Sequence, residues 1–378
     1  MADFKRYPEN KFHLPRRYKL IKELGAGSYG TVCSVVDTKF KDRSVHLAVK
    51  KVGKVFDNPI LMKRAIRELK LMRFLRGHRN IVSLVDVNLV SQDSYAGLYC
   101  FQELMDWDLT HVLYSPMQFS EFHIQSFFYQ ILQGIKYTHS ANIIHRDLKP
   151  GNILVNRHGT LKLADFGLAR GITTIPAAAS PITNYVATRW YRAPELLAKV
   201  TKYGKEVDMW AAGVILGEMY GRRPMMPGKD SMGQIIHILD VLGEPPAALV
   251  KKRGWKLPST MGVWKMRNNK PISHRWSELY PFASTSGLQL VGMLLQWDPS
   301  ARLTVEEALE HHFLGPVRNQ NGEASAPGIF EFSAEEERLD HQDLFGLLTK
   351  EVREFQKERK PKIVSDAKSV AKHVSGRV

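Results

Sequence analysis

The chain has 378 residues, is 44% hydrophobic and carries a formal net charge of +16. A prior of about 100–200 residues per domain gives two or three folding units, enough to bury large cores. Two cysteines, Cys33 and Cys100, without a Cys-x-x-Cys spacing exclude a disulfide framework and a cysteine zinc site, and they point to a reducing compartment. The N-terminus, MADFKRYPENKFHLPRRY, has no apolar core for a signal peptide. The longest apolar-rich run, near Met209 to Met219, is interrupted by Glu218 and is too short to span a bilayer. The expectation is a soluble protein of the cytoplasm and nucleus. The basic balance admits nucleic acid, anionic membrane or acidic partners. From Lys350 onward, nine Lys/Arg against four Asp/Glu read as a solvated basic tail. No recognised nucleic-acid module is visible, so no nucleic-acid partner is expected.

Residues Leu20 to Val36 read LIKELGAGSYGTVCSVV. A Gly-x-Gly-x-x-Gly alone is weak, because dinucleotide folds share it. Here the β-branched run Thr31 to Val36 follows where those folds need a helix, so Gly25, Gly27 and Gly30 are predicted in a strand–turn–strand. Their missing side chains would let backbone N–H groups approach phosphates, with an ordinary glycine-rich hairpin as the plainer alternative. Leu47-Ala48-Val49-Lys50 is the next strand, whose alternation sets Lys50 on the face opposite Val49, and Lys51 is the competing lysine. Asn58-Pro59 opens a helix with an apolar face of Ile66, Leu69 and Met72 and with Glu68 beside it. Strands are expected near Ile81–Val87 and Gly97–Gln102. Ser120 caps a long helix whose Ile124, Phe127, Phe128, Ile131, Leu132 and Ile135 are predicted core.

HRDLKPGN then runs from His145 to Asn152, and DFG begins at Asp165, thirteen residues after that Asn. Thr183-Asn184-Tyr185 and RWYRAPE, Arg189 to Glu195, follow. Apolar runs, Ile143-Ile144 and Leu161 to Ala164, precede the first two motifs, as buried strands ending at a site do. The residue types suit phosphoryl transfer. Asp147 could take the proton of an incoming hydroxyl, Lys149 could neutralise γ-phosphate charge, and Asn152 and Asp165 are hard oxygen ligands for Mg²⁺. Asp208 to Tyr220 is apolar nearly all round and is predicted as a helix buried in a large unit. Gly221 to about Tyr280 is rich in Pro, Gly, Lys and Trp. An extended segment at Phe330-Glu331-Phe332 and a helix around Asp343–Phe355 close the chain.

This ordered set resembles the eukaryotic protein kinases over nearly the whole chain, and within them the mitogen-activated protein (MAP) kinases. The resemblance implies an α+β, bilobal protein kinase fold with a small β-rich N-lobe and a larger, mainly helical C-lobe. The implied domains are an extension over 1–17, an N-lobe over 18–105 and a C-lobe over 106–314 with an insert at about 221–280. A C-terminal extension over 315–378 carries an acidic docking region and the basic tail. ATP and Mg²⁺ are the implied cofactors. Gly25, Ala26, Gly27, Ser28 and Gly30 would cover the phosphates, Val32 the adenine, and Ala48 would line the ATP site. Lys50 would hold the α- and β-phosphates and pair with Glu68. Gln102 would guard the pocket, the backbone of Glu103 and Met105 would hold adenine, and Asp108 would accept from ribose. Asp208 would prop the catalytic-loop backbone, and Arg302 would pair with Glu195.

The same resemblance implies protein substrates with Ser or Thr followed by Pro, because the loop from Val186 to Arg192 offers no acceptor for the next N–H. Thr183 and Tyr185 would be phosphorylated. Arg67, Arg146 and Arg170 would grip the phosphothreonine, and Arg189 and Arg192 the phosphotyrosine. Asn184 replaces the Glu, Gly or Pro usual in that triplet, so separate routes to the two sites are expected, with Tyr185 as a self-modification site. Glu335, Glu336, Glu337, Asp340 and Asp343 would bind basic docking motifs, or else form a solvated turn. An upstream activating kinase or other activator and a monomeric state are further expectations. The Thr-Asn-Tyr triplet is similar to that of the sporulation-specific MAP kinases of budding yeasts, which implies a role in spore-wall assembly during meiotic development. A cyclin-dependent-type kinase is an alternative, but this chain lacks a PSTAIRE-like stretch at Met62 to Glu68. A catalytically silent scaffold is another, but Lys50, Asp147, Asn152 and Asp165 are all present. Nucleic-acid binding through the basic surface is the third.

Overall fold

The computed structural model describes residues 4–27, 30–39, 45–91, 93–171, 187–198, 200, 203–255, 264, 276–333 and 338–374. The chain divides into two compact units. The first comprises Met1–Gly77, Val82–Met105 and Ser333–Val378, and the second comprises His78–Ile81 and Asp106–Phe332.

In the first unit, β1 (Phe4–Tyr7) and β2 (Phe12–Pro15) form a hairpin. They are followed by β3 (Tyr18–Gly27), β4 (Gly30–Asp37), β5 (His46–Val52), α1 (Pro59–Phe74), β6 (Leu84–Val90) and β7 (Gly97–Glu103). The sheet order is β3-β4-β5-β7-β6, with every neighbouring pair antiparallel. Period-2 alternation sends Cys33, Val35, Leu47, Val49 and Phe101 into one core. Phe12 and Leu14 complete that core and are fully buried, each worth about 1.5–3 kcal/mol. Part of the polar-looking extension is therefore core, because its Phe-His-Leu alternation is too short to stand out between charged flanks. Gly30 has φ +140, and a Cβ there would lie 1.8 Å from the Lys51 carbonyl oxygen, so only glycine passes between β4 and β5.

α1 starts as the sequence predicts. Asn58 accepts from the Ile60 N–H at 2.7 Å, and Pro59 opens the first turn. The C-terminal helix, His341–Val374, runs well past the expected Phe355. It buries Leu344, Leu348, Val352 and Phe355 and packs against α1 and β6. The strand expected from Ile81 begins only at Leu84, and Ile81 instead bridges Leu163 inside the second unit.

The second unit contains β8 (Trp107–Asp108), α2 (Leu109–Tyr114), α3 (Glu121–Ser140), β9 (Ile143–Ile144), β10 (Ile153–Val155), β11 (Leu161–Leu163) and β12 (Arg170–Gly171). The helices α4 (Pro194–Leu197), α5 (Glu206–Gly221), α6 (Ser231–Leu242) and α7 (Ala247–Arg253) follow. Ser120 caps α3 in a capping box closed by His123. Ile124, Phe128, Ile131, Leu132 and Ile135 are buried, whereas Phe127 is half-buried, edge-on to Phe119. α5 is buried from Val207 to Met219, which accounts for its apolar character all round. Two small sheets, β11-β10-β8 and β12-β9, emerge where the motifs sit. Phe330–Phe332 forms no strand, but the Phe330 N–H donates to the Ala141 carbonyl at 3.0 Å. Among the described residues, no helix is long and apolar enough to cross a membrane.

Candidate active site

The second unit gathers the HRD and DFG motifs on its small sheets. β9 ends at Ile144, so His145 to Asn152 form the loop beyond it. β10 pairs with β11 with Ile153 opposite Leu163, and the Asn152 carbonyl accepts from the Ala164 N–H at 2.9 Å. That register brings Asn152 alongside the residue preceding Asp165. Arg146 and Asp165 both lie in the left-handed region, at φ +69 and +64. Non-glycine residues held there cost about 1–3 kcal/mol unless their surroundings fix them.

Asp208, at the start of α5, supplies that fixing for Arg146. It is 1% exposed and accepts from the His145 N–H and the Arg146 N–H at 2.8 Å each. His139 Nε2 lies 2.9 Å from the same carboxylate. Burial disfavours the Asp208 charge, but the hydrogen bonds and the neighbouring His139 and His145 outweigh it and hold the carboxyl below its ordinary range. His139 carries no motif signal and was missed in the sequence.

The loop then presents three side chains together. Lys149 Nζ donates to Asp147 Oδ2 at 2.8 Å, and Asn152 Nδ2 donates to the same oxygen at 2.9 Å. Asn152 Nδ2 also reaches the Asp147 carbonyl at 2.8 Å, which leaves its own Oδ1 for a cation. Asp147 Oδ1 is buried and has no hydrogen-bond partner among the described residues. A buried acceptor left open is costly, so its place is best explained by a donor that arrives with a substrate. Asn152 and Asp165 are neutral and anionic oxygen donors, a set that fits Mg²⁺ shared with phosphates.

The first unit supplies a lysine and a carboxylate. Lys50 Nζ lies 3.0 Å from Glu68 Oε1. Lys51 Nζ instead donates to the carbonyls of Lys11 and Ser94, at 2.6 and 3.2 Å, and so ties down the hairpin. Alternation thus gives the two lysines different partners. Val32 lies opposite Lys50, Ala48 opposite Gln102, and Lys50 opposite Cys100, which places them on the sheet face away from the core. Gln102 Nε2 contacts Met72 Sδ at 3.6 Å. The Glu103 N–H is used on the Ser83 carbonyl at 3.4 Å, and Met105 is half-buried. Gly25 has open space where a Cβ would stand, and Ala26 is exposed. Gly27 ends β3, and Ser28 lies outside the described residues.

Other candidates are placed as follows. Asp108 Oδ1 caps α2 through the His111 N–H at 2.9 Å. In the second unit, Arg170 is paired with Ile144 across β12 and β9, two residues from Arg146. Arg146 Nη1 donates to the Leu168 carbonyl, and its guanidinium lies over Tyr203 at 5.3 Å. Arg189 is buried, with Nη1 on the Lys229 carbonyl at 3.2 Å and Nε without a partner among the described residues. Arg192 is half-buried in the second unit, and Arg67 belongs to α1 of the first. Thr183, Tyr185, Glu335, Glu336 and Glu337 lie outside the described residues. Asp340 accepts from the Asp343 N–H at 2.8 Å, at the start of the C-terminal helix. Arg302 grips Glu195 with two bonds of 2.6 and 2.8 Å, both side chains buried. Glu218 looked only like a break in an apolar run. It is buried and accepts from Tyr191 at 2.7 Å and from Tyr114. Burial pushes its pKa up, and the tyrosine hydroxyls only partly offset this.

A family model described as "Protein kinase domain" matches residues 18–314. The sporulation-specific mitogen-activated protein kinase SMK1 of Saccharomyces cerevisiae is 48% identical over 361 residues, covering 92% of this chain and 91% of that protein. The mitogen-activated protein kinase SLT2/MPK1 of the same yeast is 42% identical over 355 residues, 91% of this chain and 71% of that one. The mitogen-activated protein kinase spm1 of Schizosaccharomyces pombe is 40% identical over 326 residues. A β-rich first unit and a mainly helical second unit agree with the fold of that family. The chain belongs to the protein kinases and, within them, to the mitogen-activated protein kinases.

Proposed function

We propose that the protein transfers the γ-phosphate of ATP to Ser or Thr followed by Pro. The observation that carries this reading is the buried, open Asp147 Oδ1 beside Lys149 and Asn152. The substrate hydroxyl oxygen bonds to the γ-phosphorus as the bond to the β–γ bridging oxygen breaks. The hydroxyl proton passes to Asp147, and ADP leaves. Lys149 faces the charge developing on the transferred group. Lys50, oriented by Glu68, holds the α- and β-phosphates. Val32, Ala48, Gln102, Glu103, Met105 and Asp108 bind the nucleoside, and the segment from Gly25 to Gly30 covers the phosphates. Asn152 and Asp165 would hold Mg²⁺, which would supply positive charge against the phosphates.

The proposed organisation is an N-lobe over 18–105, a C-lobe over 106–314 and flanking extensions. Phosphorylation of Thr183 and Tyr185 switches activity on, with Arg67, Arg146, Arg170, Arg189 and Arg192 receiving the phosphates. An upstream kinase or activator, and partners with basic docking motifs at Asp340, Asp343 and Glu335 to Glu337, complete the pathway. The likeness to the sporulation-specific SMK1 supports a role in sporulation, within which spore-wall assembly is the proposed task. The working places are cytoplasm and nucleus, and the working state is a monomer.

The test measures radiolabel transfer from ATP to a Ser-Pro peptide and to its Ser-Ala counterpart, alongside thermal unfolding. Asp147→Asn and Lys50→Ala are expected to lower transfer by about 10²-fold or more with the unfolding temperature nearly unchanged. The Ser-Ala peptide should be phosphorylated poorly, and Thr183→Ala with Tyr185→Phe should abolish activation. Near-wild-type transfer by Asp147→Asn sinks the catalytic assignment.

A further inference from the structure

Phosphate transfer makes no use of the basic surplus beyond Lys350. Three stripes run along the described side chains of the C-terminal helix. Leu344, Leu348, Val352 and Phe355 are buried in the first unit. Beside them, Glu351, Glu354 and Glu358 all accept from Arg73 of α1. The third stripe is exposed: Lys350, Arg353 and Lys357 recur three and four residues apart and so stack on one face. Among the described residues, none of the three has an ion-pair partner. With Phe345, Gly346 and Thr349 they form one open face of this helix. Glu354 at its edge is already held by Arg73, at 3.2 Å.

We propose that this helix face docks an acidic peptide segment of a partner protein. Carboxylates of the segment meet Lys350, Arg353 and Lys357, and an apolar side chain rests on Phe345 and Gly346. Charge complementarity selects an anionic occupant. A membrane is disfavoured, because among the described side chains the buried apolar stripe of the helix is spent on α1 and β6 and leaves only Phe345 as an exposed large apolar group. A nucleic acid is disfavoured too. The three cations span only about 10 Å of helix axis, and the single ring on this face, Phe345, is tilted against Phe56 at 5.6 Å rather than forming a stacking run.

The experiment uses the full chain and a fluorescent peptide of repeated Glu-Glu-Leu-Glu-Glu, with a Gln-for-Glu peptide as its neutral counterpart. Phosphatidylserine vesicles and oligothymidine are run in parallel. At low salt the wild-type protein should bind the acidic peptide and not the neutral one. Lys350→Glu with Arg353→Glu and Lys357→Glu should weaken binding at least about tenfold, and added salt should weaken the wild type. The control is Lys251→Glu with Lys252→Glu, a pair of exposed lysines on α7 of the other unit, which should leave binding unchanged. If the triple variant melts early, the same three positions changed to Gln take its place. Equal weakening in the α7 control overturns the proposal, as does a wild type that ignores the acidic peptide. So does a triple variant that loses vesicle or oligothymidine binding while keeping the peptide.

Discussion

Asp208 in the second unit and Glu68 in the first are both carboxylates that set a functional segment, and they are held in opposite ways. Asp208 is 1% exposed and fixed by two backbone N–H groups and a histidine. Glu68 meets Lys50 at 3.0 Å with side chains 15% and 19% exposed. That pair is partly shielded from water, so it lies between exposed pairs, worth about 0–1 kcal/mol, and a fully buried one. The loop bearing Asp147 is thus locked before any substrate arrives, which is what electrostatic preorganisation needs. The lysine pair joins a strand to a helix through two flexible side chains rather than through backbone groups, so it is the more adjustable of the two. The rigid part and the adjustable part of one chemistry are assigned to different units.

The sharpest way to break this comparison is Asp208→Asn against Glu68→Gln. The first removes the charge and one acceptor from a carboxylate that receives the His145 and Arg146 N–H groups, beside an Arg146 held at positive φ. It should cost about 3 kcal/mol or more of stability, together with most of the turnover. The second should cost less, about 1–2 kcal/mol, while still impairing phosphate transfer. Chemical unfolding of both variants, read beside radiolabel transfer, checks the pair. Equal stability losses would remove the distinction.

The sequence carried more of the site than of its supports. The face of Lys50 follows from strand alternation, and the cluster of Asp147, Lys149 and Asn152 follows from tight spacing within one loop. The link from Asp208 to His139 does not, because it joins α3 to α5 across 69 positions and depends on packing. Likewise Glu218 reaches Tyr191 and Tyr114 only through the fold. The buried Phe12 and Leu14 escaped notice because two apolar residues in a charged stretch make no periodic signal. The helix end at Phe355 was set too early because apolar spacing stops there, while the helical backbone continues to Val374.

A second test concerns pH and the second unit alone. His78 stacks on Tyr137 at 4.3 Å and accepts from the Asn80 N–H at Nδ1. Burial, with Lys162 and Arg79 nearby, pushes its pKa down to about 4. Above pH 6.5 the ring is neutral in folded and unfolded chains alike. Between 6.5 and about 4 only the unfolded chain takes up the proton, so stability falls as pH falls, by about 3 kcal/mol at most. Asp208 adds to this only lower down: its depressed carboxyl contributes above the unfolded pKa of 3.8 and is lost as pH falls through its folded value. Unfolding midpoints measured from pH 7 to 5 should slope less in His78→Gln than in the wild type. Parallel slopes would show that His78 does not titrate this way.

The smallest expected effect lies at α1. Arg73 is 29% exposed and draws together Glu351, Glu354 and Glu358 of the C-terminal helix, while Lys70 stands 3.5 Å from Glu351. Each partly exposed pair is worth a few tenths of a kcal/mol, and sharing one guanidinium among three carboxylates makes the terms dependent on one another. Arg73→Ala should therefore cost about 1 kcal/mol at low salt and less at high salt, because screening acts on exposed charges. The apolar contacts of Leu344, Leu348, Val352 and Phe355 remain in the variant, so the helix stays docked. The loss belongs to α1, which also carries Glu68, so nucleotide affinity should drop slightly while the chemistry set by Asp147 stays intact. Nucleotide titration and denaturant unfolding at two salt concentrations separate these effects. A salt-independent loss would assign Arg73 a packing role through its aliphatic stem, and a large fall in turnover would mean that the adjustable pair depends on this clamp far more than its exposure allows.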